Sequence, residues 1–193
     1  MSGFPETGGV REDGASGRAI SLGLLPRRHD REQGAGHVWL RWGAGSRDPR
    51  CYRGYWPDLT KLPEGCTSRG DIVRFLHHNS VPGRQVVDYR AVQMERRHGS
   101  NCLAKSWPIT GGQQARLEKR CHIPLGRDSV AEGRYSWNAQ DDSSDNCSSW
   151  ALRVVNHVMG SPEFLTCSAP KRLAQVEAEV FGSEPDATSG RQR

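Results

Sequence analysis

The sequence feature that most constrains the fold is a polar loop that runs directly into an amphipathic helix. The loop ends at Asp145 and Asn146, and either residue is a suitable N-cap. Apolar residues then recur at helical spacing, at Ala151, Val154, Val155 and Val158. Gly160 and Pro162 end the predicted helix. One turn before Ala151 lies Cys147, on the same predicted buried face and in the first helical turn.

The position of Cys147 has a chemical consequence. A thiol at a helix N-terminus faces unpaired backbone N–H groups and the positive end of the helix dipole. Both lower the pKa of a cysteine and favour the thiolate, which is the nucleophilic form. A small core residue is an equally good interpretation of this position, because free cysteines are often buried. A nearby base is needed to distinguish the two interpretations.

A candidate base lies far upstream, at the start of a predicted strand. Residues 36–42 are β-branched and aromatic, alternate with period two and are bounded by glycines. His37 stands at the beginning of this strand, next to a Gly-Ala-Gly loop. A strand histidine that faces a helix cysteine is the minimal pair of base and nucleophile. The alternative is a surface or capping histidine, one of seven in the chain.

A hairpin would bring an orienting residue close to His37. A turn leads from the first strand to a second predicted strand at about 51–56. In an antiparallel hairpin, the start of the first strand lies opposite the end of the second. Asp58 or Tyr55 would then hold the imidazole in its useful tautomer, as the third member of a triad does. A loop aspartate and a core tyrosine are the simpler interpretation of these two residues.

The remaining pattern predicts an α+β fold. Further strands are expected at about 70–75, 85–94 and 134–137, and helices at about 111–121 and 170–181. Together the elements predict an antiparallel sheet that carries His37 and packs against the helix beginning at Cys147.

Order-promoting residues are concentrated in the middle of the chain. We therefore expect one domain over residues 35–182. Residues 1–34 are expected to be mostly disordered, although a short apolar patch at Ile20 to Leu25 could dock on the domain. Residues 183–193 are expected to form a disordered polar tail.

Composition argues against several functional classes. The net charge is +5 and the pI about 9.1, but no run of basic and aromatic residues marks a nucleic-acid-binding face. No stretch approaches the about 20 apolar residues of a membrane span. The N-terminus lacks the basic and then apolar pattern of a signal peptide. We expect a protein without nucleic-acid or membrane-spanning functions, which would be secreted only by a signal-independent route.

Six cysteines are many for a cytosolic chain of 193 residues. If Cys147 is a free nucleophile, at most two disulfides form among the other five. Proximity in sequence favours the pairs Cys51 with Cys66 and Cys102 with Cys121. A zinc site could instead gather a Cys/His set, although its spacing fits no standard zinc finger: Cys102, Cys121, His122, His77 and His78.

Four pieces of the sequence, in this order and spacing, resemble the permuted papain-like family. They are Gly36-His37-Val38-Trp39; Tyr52-Arg53-Gly54-Tyr55-Trp56-Pro57; Trp107-Pro108-Ile109-Thr110 followed by Gln114; and Tyr135-Ser136-Trp137 with Asn146-Cys147-Ser148-Ser149-Trp150-Ala151. In this family a strand histidine precedes an Asn-Cys helix motif. The family includes lecithin:retinol acyltransferase-like proteins and bacterial toxin domains, some of them type VI secretion effectors. The sequence resembles the toxin group most.

The resemblance implies a cysteine hydrolase of amide bonds in which His37 is the base and Cys147 the nucleophile. It supplies no third residue. The chemistry adds an oxyanion site at the Cys147 backbone N–H, together with the Asn146 side chain. The family implies an antibacterial toxin that needs no cofactor or metal and is delivered into the periplasm or cytoplasm of a target cell. Its substrate would be a peptidoglycan stem peptide or a protein, and its partner a dedicated immunity protein.

Two other functions are compatible with the same residues. A thioesterase or acyltransferase of this fold would act on lipid or protein and would need a long apolar groove, for which the chain has few apolar residues. In a non-catalytic interaction module or zinc protein, the cysteines would be structural or metal-binding. Stoichiometric zinc and an unreactive Cys147 would identify the latter.

Overall fold

The computed structural model describes residues 18–29, 36–43, 48–122, 129–137 and 143–182. Within these ranges the chain forms seven strands and five α-helices. The strands are β1 (Ala19–Leu25), β2 (His37–Trp42), β3 (Tyr52–Pro57), β4 (Val81–Val87), β5 (Leu103–Pro108), β6 (Ser129–Tyr135) and β7 (Ser144–Asp145). The helices are α1 (Arg69–His78), α2 (Tyr89–His98), α3 (Gly111–Arg120), α4 (Cys147–Met159) and α5 (Leu173–Phe181).

All seven strands belong to one sheet, in the order β5-β1-β2-β3-β4-β6-β7. Neighbouring strands are antiparallel except for β6 and β7, which are parallel. The predicted α+β class, with an antiparallel sheet that carries His37 and packs against the helix starting at Cys147, is confirmed at this level.

The two faces of the sheet bury different helices. Strand residues alternate between faces, so neighbouring positions of β2 face opposite ways. Trp39 packs with Ala91 and Met94 of α2 in a small cluster on one face. Val38 belongs to the larger cluster on the other face, which contains the apolar stripe of α4. The sheet therefore separates α2 from α4, and a site that uses both helices must bridge its two faces.

Helix α2 is tied to the sheet through Glu95. This carboxylate accepts hydrogen bonds from the Trp39 indole at 3.1 Å, the Arg41 guanidinium at 3.1 Å and the Tyr52 hydroxyl at 2.7 Å. These contacts join α2 to both β2 and β3, and they hold the second half of α2 in place over the sheet.

One predicted strand is wrong and another extends too far toward its C-terminus, in both cases because a polar side chain caps a helix. The segment expected as a strand at 70–75 lies in α1, where the Ser68 side chain accepts the N–H of Asp71. The strand expected at 85–94 ends at Val87, because Asp88 caps α2. The helix predicted at 111–121 is confirmed as α3, with the expected capping box between Thr110 and Gln113.

The predicted domain boundary at residue 35 is wrong. The apolar patch at Ile20 to Leu25 is part of β1, which lies between β2 and β5 in the sheet. Its apolar side chains are fully buried, so β1 is part of the domain and not a docked tail. Residues 1–17 and the predicted tail at 183–193 lie outside the described residues.

The cysteines are not paired as expected. All six lie in the described ranges and are free thiols, including the four assigned to disulfides by proximity. Among the described residues no three His, Cys, Asp or Glu side chains are grouped so as to hold a metal ion. The same part of the chain contains no helix long and apolar enough to span a membrane.

Candidate active site

Cys147 is the first residue of α4, where the sequence placed it. The Asn146 side-chain oxygen accepts the N–H groups of Ser148 and Ser149 at 3.0 and 3.1 Å. In return the Ser149 hydroxyl accepts the N–H of Asn146 at 3.1 Å, which completes a capping box. The cap does not take the N–H of Cys147, which remains in the first turn beside its own thiol. At the other end, Gly160 closes the helix in the left-handed conformation.

The sheet opens where α4 approaches it. Strands β2 and β3 are both fully described, yet they share only the pairs Leu40 with Arg53 and Arg41 with Tyr52. The first residues of β2 are therefore not paired with β3, although they are paired with β1. In this opening the backbone N–H of Val38 donates to the sulfur of Cys147. The opening lets a cysteine from one face of the sheet meet a histidine from the other.

His37 lies in the opening between an aspartate and the cysteine. Its Nε2 is 2.7 Å from Oδ2 of Asp88, and the exposed fractions of the two side chains are only 2% and 1%. The Cys147 thiol is close enough to His37 for a side-chain interaction that shifts the pKa of both groups. Because Nε2 is engaged by Asp88, Nδ1 is the ring nitrogen left for the thiol. The three side chains are thus connected in the order aspartate, imidazole, thiol.

The electrostatic interactions among Asp88, His37 and Cys147 favour transfer of the thiol proton to the imidazole. Burial by itself lowers the pKa of His37, but Asp88 and the Cys147 thiolate outweigh it and raise that pKa from 6.5 to about 9. Burial raises the pKa of Cys147, but His37, the Val38 N–H and Ser148 reverse the shift and lower it. Both shifts favour a thiolate–imidazolium pair. The buried thiol of Cys121 shows the contrast, because burial raises its pKa to about 12.

Asp88 is held by groups from three elements. Its Oδ1 accepts the N–H of Ala91 at 2.9 Å and thereby caps α2. The Trp56 side chain also donates to the carboxylate. Gly54 in β3 leaves the space that the carboxylate occupies, because a Cβ there would collide with Oδ2. Burial would raise the pKa of Asp88, yet His37 and these donors lower it, so the carboxylate stays ionised beside His37.

Asp58 and Tyr55 do not fill the role predicted for them. The Asp58 carboxylate accepts the Thr60 hydroxyl at 2.7 Å and pairs with Arg84 at 3.0 Å. The Tyr55 hydroxyl donates to the backbone carbonyl of Glu132 at 2.7 Å. The carboxylate that contacts His37 comes instead from Asp88 at the β4–α2 junction. The signal for Asp88 in the sequence was its N-cap position before α2, which does not indicate a neighbour 51 positions away.

Asn146 is also corrected, from an oxyanion donor to a structural residue. Its amide nitrogen donates to the carbonyl of Trp137 at 3.3 Å and to that of Lys171 at 2.6 Å. Both amide hydrogens are therefore used to tie the flanking loops to the start of α4, and the amide oxygen is used by the cap. The N–H of Cys147 is the donor that remains at the position predicted for the oxyanion.

No family model, curated protein or solved structure matches this chain. The candidate site is therefore defined by the geometry around Cys147, His37 and Asp88.

Proposed function

We propose that this protein is a cysteine hydrolase of amide bonds that uses Cys147 as nucleophile, His37 as acid and base, and Asp88 as the residue that orients His37. The observation that carries the proposal is the buried 2.7 Å contact between His37 and Asp88, beside a Cys147 thiol that interacts with the same imidazole. A nucleophile, a base and an orienting carboxylate in one connected row are the functional parts of a catalytic triad.

In the first half-reaction the Cys147 thiolate attacks the carbonyl carbon of the substrate. The carbonyl π electrons move to oxygen, and the N–H of Cys147 at the N-terminus of α4 stabilises the resulting oxyanion. The imidazolium of His37 then protonates the amine nitrogen as the C–N bond breaks. The amine leaves, and the acyl group remains on sulfur as a thioester.

In the second half-reaction neutral His37 takes a proton from water, and the hydroxide attacks the thioester carbonyl. The C–S bond breaks, the carboxylic acid leaves, and the thiolate–imidazolium pair is restored. Asp88 remains ionised throughout and stabilises the imidazolium in each half. Because Asp88 also caps α2, the backbone of that helix fixes the position of the carboxylate.

The pH dependence of the site tests this proposal. Because the pKa of Cys147 is lowered, iodoacetamide should alkylate it with a midpoint below the free-cysteine value of about 8.5. Because the pKa of His37 is raised to about 9, hydrolysis should decline as the pH rises through that value and the imidazolium is lost. His37→Ala should move the alkylation midpoint upward. A midpoint at or above that of free cysteine in the unmodified protein would refute the activated nucleophile.

We extend the proposal to an antibacterial toxin, supported by the resemblance of residues 36–160 to the toxin group of permuted papain-like proteins. On this proposal the substrate is a peptidoglycan stem peptide or a protein, and an immunity protein is the partner. The test is expression in a bacterium, with and without a periplasmic signal peptide. Growth inhibition should depend on the compartment and be abolished by Cys147→Ala. A harmless protein in both compartments would contradict the toxin role.

A further inference from the structure

We propose that a cleft at the far end of β2 from His37 binds short peptides whose amino and carboxyl termini are both free. Two charges of opposite sign line this cleft, on Arg18 and on Glu118. The cleft contains no residue of the candidate active site, so the peptide site goes beyond the proposed function and does not depend on it.

The cleft has a volume of about 400 Å³ and is formed by three parts of the chain. They are Arg18 just before β1, Trp42 and Gly43 at the end of β2, and one face of α3. The volume lies within the range of small-ligand sites, about 300–1,000 Å³. Trp42 and His37 stand at opposite ends of β2, and five steps of about 3.3 Å place their Cα atoms about 17 Å apart.

Backbone hydrogen bonds hold the walls of the cleft together. The carbonyl of Arg18 accepts the N–H of Ile109 at 3.1 Å, and the carbonyl of Ala19 accepts the N–H of Gly43 at 3.1 Å. Arg18 is thereby fixed between the end of β2 and the start of α3. Its guanidinium lies beside Gly111, because a Cβ added to that glycine would be 3.3 Å from Nη1 of Arg18.

The most buried residue that lines the cleft is Trp42, which is only 7% exposed. The guanidinium carbon of Arg53 lies 4.9 Å from the centroid of the Trp42 ring. Arg53 is itself buried, and it donates to the carbonyls of Arg50 and Tyr52. The indole is therefore held in one position, and it offers an apolar contact to the middle of a bound peptide.

The second charge of the cleft is on its helical wall. Gly111, Gln114 and Glu118 are spaced so that they lie on one face of α3, and all three line the cleft. The amide nitrogen of Gln114 donates to Oε1 of Glu118 at 2.8 Å, which fixes the position of this carboxylate. Within the described part of the chain, neither Arg18 nor Glu118 takes part in an ion pair. The two charges thus line one cleft without neutralising each other.

The separation of the two charges indicates the length of the ligand. Glu118 follows Gly111 by seven positions, which at about 1.5 Å per residue is roughly 10 Å along the helix. An extended chain of three residues spans a similar distance, because each residue adds about 3.3–3.6 Å. A tripeptide can therefore place its carboxylate at Arg18 and its ammonium at Glu118, with a charge-assisted hydrogen bond at each end. A single amino acid is too short to reach both.

Tri-alanine and its two blocked forms are the matched probes for this cleft. N-acetyl-tri-alanine lacks the ammonium, and tri-alanine amide lacks the carboxylate. Each is titrated into the full chain that carries Cys147→Ala, in which the proposed nucleophile cannot cut the peptide. Binding is followed through the backbone amide resonances of Gly43, Gly111 and Gln114, which report on the cleft itself.

Four variants test the charges separately. Arg18→Gln and Glu118→Gln each remove one charge, and Arg18→Lys retains the positive charge. Lys119→Gln is the control for net charge, because Lys119 is exposed on α3 but does not line the cleft.

We expect the cleft to bind tri-alanine about tenfold more tightly than either blocked form, because blocking removes one charge-assisted hydrogen bond. Arg18→Gln should weaken the binding of tri-alanine to the same extent and leave that of tri-alanine amide unchanged. Glu118→Gln should likewise weaken tri-alanine binding and leave that of N-acetyl-tri-alanine unchanged. Arg18→Lys should recover most of the affinity, and Lys119→Gln should have no effect.

Blocked peptides that bind as tightly as tri-alanine would overturn the peptide site, and so would resonance shifts that spare Gly43, Gly111 and Gln114. An equal loss of affinity in Lys119→Gln would also overturn it, because the cause would then be the net charge of the protein. Failure of the hydrolase proposal is recognised separately, since alkylation of Cys147 in the unmodified chain involves no residue of the cleft.

Discussion

Strand β2 has two neighbours, and it is joined to them very differently. Against β1 it forms six residue pairs, from Ile20 with Trp42 to Leu25 with His37. Against β3 it forms two, although β3 is as long as β2. The side toward β1 is a continuous ladder with fully buried apolar residues. The side toward β3 is open at the end that carries His37, and there the polar groups of the candidate site lie.

The difference shows how stability and chemistry are divided within one strand. A backbone N–H that is used in a sheet ladder cannot also donate to a thiolate. Where β2 leaves β3, the N–H of Val38 becomes available to Cys147, and a gap forms through which α4 and the β4–α2 junction meet. The closed side holds β2 in place so that the open side can remain unpaired. Disrupting the β1 side of β2 should therefore have a different consequence from disrupting its β3 side.

The largest effect should come from removing the closed side. A chain that begins at residue 31 lacks β1, with Ile20, Leu22, Leu24 and Leu25 all at 0% exposure. Burial of four such side chains contributes about 6–12 kcal/mol, which is comparable to the whole stability of a domain. We expect residues 31–183 not to unfold cooperatively, as followed by circular dichroism during heating. A cooperative transition near that of the full chain would show that β1 is dispensable.

The next largest effect concerns the open side, where two aspartates follow adjacent strands and both cap a helix. Asp88→Asn keeps the cap of α2, because asparagine is an equally good N-cap, but it removes the charge beside His37. We expect hydrolysis to fall on the order of 10⁴-fold, as in triads that lose this carboxylate. Asp58→Asn is the matched control, which loses its pairing with Arg84, costs about 1 kcal/mol or less and retains activity.

The measurement for the two aspartates is the rate of peptide hydrolysis together with the thermal midpoint of each variant. The expected pattern is a loss of rate with little loss of stability at Asp88, and the reverse at Asp58. Equal losses of rate at both positions would mean that the two junctions do not differ in function.

The smallest effect compares two glycines that lie on opposite sides of β2. A Cβ at Gly23 in β1 would collide with the indole of Trp39, and one at Gly54 in β3 with the carboxylate of Asp88. Each alanine substitution should lower the free energy of unfolding by about 1–3 kcal/mol through overpacking. Only Gly54→Ala should also slow the reaction of Cys147 with iodoacetamide, because it displaces Asp88 and with it His37.

Denaturant unfolding and the alkylation rate, measured on the same preparations of the two glycine variants, test this difference. If Gly23→Ala slows alkylation as much as Gly54→Ala does, the β1 side also positions Cys147. The two sides of β2 would then not differ in function.

Several elements could be predicted from the sequence because their causes are local. The start of α4 at Cys147 follows from an asparagine cap and a helical apolar stripe, and its end follows from Gly160. The capping box of α3 lies within four residues, from Thr110 to Gln113. His37 at the start of a strand follows from alternation alone. Each of these signals lies within a few residues of the feature it predicts.

Other segments were misjudged because local pattern was overridden by distant packing. The alternating apolar residues around 85–94 suit a strand, but Asp88 ends that strand and begins α2. Strand β1, which contains the apolar patch, is only 7 residues long and is surrounded by polar sequence. It gains its stability from two neighbouring strands that the chain supplies later, β2 and β5.

By itself, the sequence determined that a thiol would occupy the positive end of a helix and that a histidine would begin a strand, because caps and periodicity act over one or two turns. Only the tertiary structure decided which carboxylate contacts His37 on the side away from Cys147. Asp88 reaches His37 because Gly54 leaves space in β3 and because β2 and β3 separate after two pairs. Such space depends on the packing of four elements at once, and no short stretch of sequence encodes it.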